Sequence, residues 1–170
     1  MNITCKTAII SLLATLGAGC ATVGHEHSAS ATRQEEVARR GSTVMPFELS
    51  RTTHFFDANS NGGIQTITAN DQRDAEQVAL IRSHLSTEAQ QFGRGDFSDP
   101  AAIHGKDMPG LAVLSKAGNK LHVAYKELPA GASLTYTSQD PAVVTAIHDW
   151  FAAQSADHGA HDHMHHQMHH

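Results

Sequence analysis

The chain has 170 residues, a formal charge of −5 with histidine neutral, and 14 histidines. The length suits one modest domain. The acidic balance and the lack of a basic stripe argue against a nucleic-acid partner, because nothing would neutralise phosphates.

Residues 1–19 read as an export signal. Lys6 and the amino group supply a weak positive start, and TAIISLLATLGAG is an apolar run too short to span a bilayer as a stable helix. The run stops at Cys20, and LGAGC resembles a bacterial lipoprotein signal. Ala18 and Gly19 are small, as that signal requires, while Gly17 stands where a leucine is usual and Leu16 lies one place back. The resemblance implies a lipid (palmitate among its acyl chains) on Cys20, a periplasmic location and, with Ala21 next, sorting to the outer membrane. An ordinary cleaved signal peptide and an uncleaved anchor are the alternatives. With Cys5 lost in the signal and Cys20 acylated, the mature chain has neither thiol nor disulfide. A metal site would then draw on His, Met, carboxylates or backbone, a donor set suited to an oxidising compartment.

Residues 20–45 are small, polar and charged without a sustained apolar period, and read as a lipid-anchored flexible tether with at most a short helix over Gln34–Arg40. Residues 46–156 read as an α+β domain. THFFDANSNGGIQTITA is a hairpin turning at Asn59–Gly63. A helix is expected over Asp71–Phe92, with Val78, Ile81, Leu85, Ala89 and Phe92 on one stripe. Asp99-Pro100 is a cap followed by a helical start, HGKDMPG an ordered loop, and Leu111–Lys116 another helical turn. LHVAYKELPAGASLTYTS is a second hairpin, with Leu121, Val123 and Tyr125 sharing a buried face with Leu134 and Tyr136. Asp140-Pro141 then opens a helix carrying Val143, Val144, Ile147, Trp150 and Phe151, expected to end near Gln154 or Ser155.

The two halves resemble each other. Thr66-Ile67-Thr68 matches Thr135-Tyr136-Thr137, Asp71 matches Asp140, and Val78 and Ile81 match Val144 and Ile147. This reads as a ββα duplication building a four-stranded antiparallel sheet with helices on one face. Chance likeness of two hairpin–helix units would give the same pattern. His54 and His122 fall at nearly equivalent places, which would bring them together at the sheet centre if the duplication holds; a solvated or cross-strand histidine is the alternative at each.

Residues 157–170, DHGAHDHMHHQMHH, cannot bury apolar surface and read as a disordered tail. A cloning tag would be an uninterrupted run, whereas Met164, Gln167 and Met168 break this one. Mere solubility would not favour histidine, which is mostly uncharged at neutral pH. The spacing instead suits a transition metal, with His158, His161, His163, Met164, His165, His166, Met168, His169 and His170 as candidate ligands. Imidazole suits zinc, copper and nickel, and the thioethers tilt the expectation to a copper ion, Cu(I) or Cu(II). Within the domain, His104 and Met108 in IHGKDMPGL form a candidate pair; a core methionine and a backbone-bonded histidine are the alternative. His54, His122 and His148 are weaker candidates, and His84 reads as a helix-surface residue. No nucleophile motif, phosphate loop or HExxH is present, so no catalytic residue is assigned and an enzyme is not expected.

GDFSDPAAIHGKDMPGL and DPAVVTAIHDWFAAQSADHG resemble a group of small exported bacterial proteins, over about residues 52–159. Some members carry the label aspartate carbamoyltransferase, which this chain does not support: it is too short for the two-domain transferase and has no carbamoyl-phosphate loop. By composition it is similar to periplasmic copper-tolerance and copper-chaperone proteins. That likeness implies metal sequestration or hand-over to a protein partner, with the membrane reached only through the lipid. A zinc or nickel buffer using histidine alone, and a small enzyme or ligand-binding domain with an incidental tail, are the alternative functions.

Overall fold

The computed structural model describes residues 23–158, with side chains from residue 29. The signal segment, Cys20 and tail residues 159–170 therefore lie outside the described residues. A long helix, α1 (Val23–Val44), precedes the first hairpin, β1 (Thr52–Asn59) and β2 (Gly62–Ala69), and helix α2 (Ala75–Phe92). Two short helices follow, α3 (Ser98–His104) and α4 (Leu111–Leu114). The second hairpin, β3 (His122–Leu128) and β4 (Gly131–Thr137), leads into α5 (Pro141–His158). The fold is α+β with one antiparallel sheet in the order β1-β2-β4-β3.

Alternation in the strands decides which side is covered. His54 and Phe56 of β1, Gln65 and Ile67 of β2, Leu134 and Tyr136 of β4, and Val123 and Tyr125 of β3 share one face, following the pairings His54↔Ile67, Phe56↔Gln65↔Leu134↔Tyr125 and Val123↔Tyr136. Helix α2 packs over β4 and β3, and α5 over β1 and β2, so each helix covers the other unit's hairpin. Ile67, Ile81, Leu85, Leu134, Tyr136, Ile147 and Trp150 fill the space between. The opposite face carries Thr53, Thr66, Thr68, Thr135 and Thr137 with Phe55 and the exposed Ile64.

The two ββα units obey a pseudo-twofold axis. Gln65 and Leu134, equivalent in the alignment of halves, face each other across the central pair. Gly62 and Gly131 are equivalent as well. A Cβ on Gly62 would strike the Tyr136 carbonyl oxygen, and one on Gly131 the equivalent Ile67 carbonyl oxygen, so both positions must lack a side chain. The helices are tied down in matching fashion. Arg82 of α2 donates to the carbonyls of Leu128 and Gly131 at 2.6 and 3.2 Å, and His148 of α5 reaches those of Asn59 and Gly62 at 2.9 and 3.0 Å.

Several expectations need correction. The segment expected to be a flexible tether over 20–45 is helix from Val23 to Val44 and docks on the domain. Val37 is 2% exposed, and Gln34 donates to the Ala156 carbonyl. One buried valine and a buried Gly41 make too narrow an apolar stripe to register as a period. Helix α2 starts four residues after Asp71, because the cap is Asp74, whose carboxylate accepts from the Gln77 amide; Asp71 instead closes a turn on Arg73. Helix α5 runs on to His158, past Gln154, so the domain boundary at 156 and the tail boundary at 157 cut its last turn. His104 ends α3 rather than sitting in a loop, and Gly105 with φ +98° stops the helix there. His54 and His122 do not meet: they lie on the two edge strands and on opposite faces, because the true equivalent of His54 is Val123.

Candidate metal centre

Three histidines from distant parts of the sequence gather where the end of α5 crosses β1 and the end of α3. His54 comes from the covered face of β1, His104 from the last turn of α3, and His158 from the last residue of α5. The His158 ring centre lies 4.9 Å from that of His54 and 5.3 Å from that of His104. Two imidazoles on one tetrahedral ion at ~2.1 Å have ring centres about 5 Å apart, so the spacing fits a shared ion. Phe56 lies nearly parallel to His158 at 6.1 Å, and Phe47 stands edge-on to His54 at 6.0 Å.

His104 is oriented by Asp157. Its Nδ1 is 2.7 Å from Asp157 Oδ2, and the same carboxylate accepts from Arg33 Nε at 2.9 Å and Nη2 at 2.7 Å. Arg33 Nη2 also donates to the His104 carbonyl at 2.6 Å. Burial works to raise the Asp157 pKa, but the hydrogen bonds from Arg33 and His104 outweigh it and hold the carboxylate below its usual value. An ionised Asp157 only accepts, so His104 Nδ1 carries the proton and the neutral ring's lone pair is on Nε2. This is the carboxylate–histidine pairing that fixes metal-ligating imidazoles.

The cluster is neutral at ordinary pH. Burial, reinforced by the neighbouring His158, His104 and His84, brings His54 down to about 3. Burial and His104 bring His158 down to about 4, against the opposing pull of Asp157. His104 is lowered too, burial outweighing its bond to Asp157. Three desolvated neutral imidazoles are lone-pair donors rather than charges.

A small cavity of about 20 Å³ reaches from these histidines into the core and is also lined by Met45, Gln65, Glu88, Trp150 and Gln154. Gln65 Oε1 accepts from the buried Tyr136 hydroxyl at 2.6 Å. Glu88 Oε2 and Gln154 Oε1 are buried and have no hydrogen-bond partner among the described residues. Glu88 Oε1 lies 3.3 Å from His84 Nε2, near enough to pair but not aligned for a hydrogen bond. Burial opposes charging His84, and Glu88 outweighs it, so that pKa is raised. His84 is therefore not the open surface residue expected: its side chain is 9% exposed against Phe47.

The other sequence candidates separate. Met108 lines an open cleft of about 460 Å³ with His104, yet packs into the apolar core near Leu111. His148 Nε2 is taken by the two turn carbonyls, and His122 is exposed on the far face of β3. Met164, Met168 and the tail histidines from His161 onward fall outside the described residues. Sequence reasoning passed over Asp157, Arg33, Glu88 and Gln154. Asp157 beside His158 was the one local signal, and its partners lie 53 and 124 residues away. Among the described residues, no three His, Cys, Asp or Glu side chains are arranged with their donor atoms around one ion position. The rings are gathered, and His158 is the half-exposed member of the three. No described helix is long and apolar enough to cross a membrane. The chain matches no family model, no curated protein and no solved structure.

Proposed function

We propose that this is an exported transition-metal-binding protein, most suited to copper, which captures the ion with its histidine/methionine tail and retains it in the domain. The observation that carries this reading is the gathering of the buried His54 and His104 with the half-buried His158, all held neutral, at the residue from which the tail departs. The tail supplies fast, low-selectivity ligation. The domain supplies fewer donors, of which His104 is already oriented by Asp157 and Arg33, so less entropy is lost on binding. The role is sequestration or hand-over to a protein partner, in the periplasm, with Cys20 as the lipid attachment point to the outer membrane. Zinc or nickel is the alternative ion, and thioether ligation by Met164 and Met168 is what separates copper from both.

The test is competitive titration of the full-length protein with Cu(I), Cu(II), Zn(II) and Ni(II). A second form replaces the six tail histidines from His161 to His170 with glutamine and both tail methionines with leucine. The altered tail should lower the number of bound ions and leave one. Unchanged stoichiometry removes the tail from the mechanism, and loss of all binding removes the domain.

A further inference from the structure

Helices α2 and α5 cover one side of the sheet and α1 packs on α3 and α5, so among the described residues no helix packs on the other side. Each strand sends alternate residues to that open side. The register sets them in rows across the strand order β1-β2-β4-β3. One row is Asp57, Ile64, Thr135 and Ala124, and the next is Phe55, Thr66, Ser133 and Lys126. The middle of this face is free of charge, because neither β2 nor β4 contains a charged residue. Ile64 stands there 36% exposed. The two charges in these rows, Asp57 and Lys126, are exposed on opposite edge strands, and neither has an ion-pair partner among the described residues. A face that meets only water has no need to keep charge off its middle strands, whereas a charge-depleted centre with a polar rim is how protein interfaces are built.

We propose that this open sheet face docks a second copy of the chain, giving a twofold dimer with the two sheets face to face and the helices outside. Turning the second copy over about an axis along the strands exchanges the two edges, so that β1 lies over β3 of the other copy. Ile64 then faces Thr135 of the other copy. Asp57 comes within one row, ~7 Å along the strand, of Lys126 of the other copy. Sheets packed this way stand ~10 Å apart, a gap that an aspartate and a lysine side chain together span. The charges are opposite and the pairing occurs twice. A second copy is favoured over an unrelated protein because the face complements itself, one edge offering the anion and the other the cation. The strands are seven or eight residues long. At ~3.4 Å per residue and ~4.8 Å per strand the face measures roughly 500 Å², or about 1,000 Å² over both copies. That is the lower limit for a specific interface, so the dimer is weak and forms at micromolar concentration. His54, His104 and His158 lie on the helix side of the sheet, away from this interface, so the inference is independent of metal binding.

The experiment uses the full-length chain with a strong chelator present, so that metal held by the tails cannot bridge two copies. Sedimentation equilibrium measures association of the wild type, Ile64→Lys, Asp57→Lys, Lys126→Asp and the double exchange of Asp57→Lys with Lys126→Asp. All three positions are exposed, so the core is untouched. The wild type should pass from monomer to dimer between about 1 and 100 µM. Ile64→Lys puts a charge at the centre and each single reversal sets like charges against each other, so each should weaken association roughly tenfold or more. The double exchange should recover most of that loss. Carbodiimide coupling, which joins a carboxylate directly to an amine, gives a second readout. Within one copy Asp57 and Lys126 are three strand spacings apart, ~14 Å, too far for that bond. An Asp57–Lys126 cross-link should therefore appear in the dimer and not in the monomer. Four results overturn the proposal: a chain still monomeric at about 500 µM, association that the reversals leave unchanged, a double exchange no better than the single reversals, or a dimer without that cross-link.

Discussion

Lowering the pH from about 7 to about 5 should weaken the metal-free protein through its buried histidines. His54 and His158 have folded pKa values of about 3 and about 4, below the ordinary value of 6.5. Both are depressed, so between pH 6.5 and those values the unfolded chain binds protons that the folded chain does not. Stability therefore falls as pH falls through that window. At pH 5 each unfolded imidazole contributes ~2 kcal/mol of protonation free energy, about 4 kcal/mol for the pair. His84, whose folded pKa is raised, works in the opposite direction and offsets part of this. The isolating comparison is urea unfolding of the wild type and of His54→Leu at both pH values. The substitution has its own packing cost, but that cost is present at both pH values and cancels in the pH difference. His54→Leu should lose ~2 kcal/mol less than the wild type between pH 7 and pH 5. Equal losses in the two proteins would refute the picture of a desolvated, neutral His54.

Four further outcomes are expected from three sets of substitutions. Asp157→Asn removes the anion that orients His104 and receives Arg33; the domain's metal affinity should fall roughly 10–100-fold, read by chelator competition on the tail-substituted chain, and an unchanged affinity would deny Asp157 an orienting role. In the same variant α1 loses its ion pair to α5, so amide exchange along 30–40 should accelerate while exchange in β2 and β4 does not. Gly131→Ala places a Cβ on the Ile67 carbonyl oxygen at the end of the central β2–β4 ladder and should cost about 1–3 kcal/mol in chemical denaturation; a cost below about 0.5 kcal/mol would mean the β2–β4 pair yields freely. Met164→Leu with Met168→Leu should lower Cu(I) affinity and leave Zn(II) affinity unchanged; parallel loss of both ions would make the tail a histidine buffer without a preference for copper.

Much of the architecture is written locally, and so it can be read from the sequence. The Asn59–Gly63 cluster, which turns at Ser60-Asn61, with flanking alternation makes the first hairpin, Asp140-Pro141 starts α5, and the stripe through Val78, Ile81 and Leu85 makes α2. These signals act over a few residues, where turn chemistry and periodicity suffice. The likeness between halves foretold the sheet because equivalent units bury equivalent faces. Two things were decided only by tertiary structure. Helix α1 has one buried valine and draws its place from Arg33 meeting Asp157 at the far end of the chain, so nothing within 20–45 announces that it docks. The histidine cluster likewise depends on helix placement. Because the strand order is β1-β2-β4-β3 and each helix covers the opposite hairpin, α5 crosses β1 and sets His158 beside His54, while α3 delivers His104. The sequence shows which residues can donate a lone pair. Which of them meet, and that Glu88 and Gln154 line the same small cavity, is fixed by long-range packing, whose partners are separated along the chain by far more than any local pattern spans.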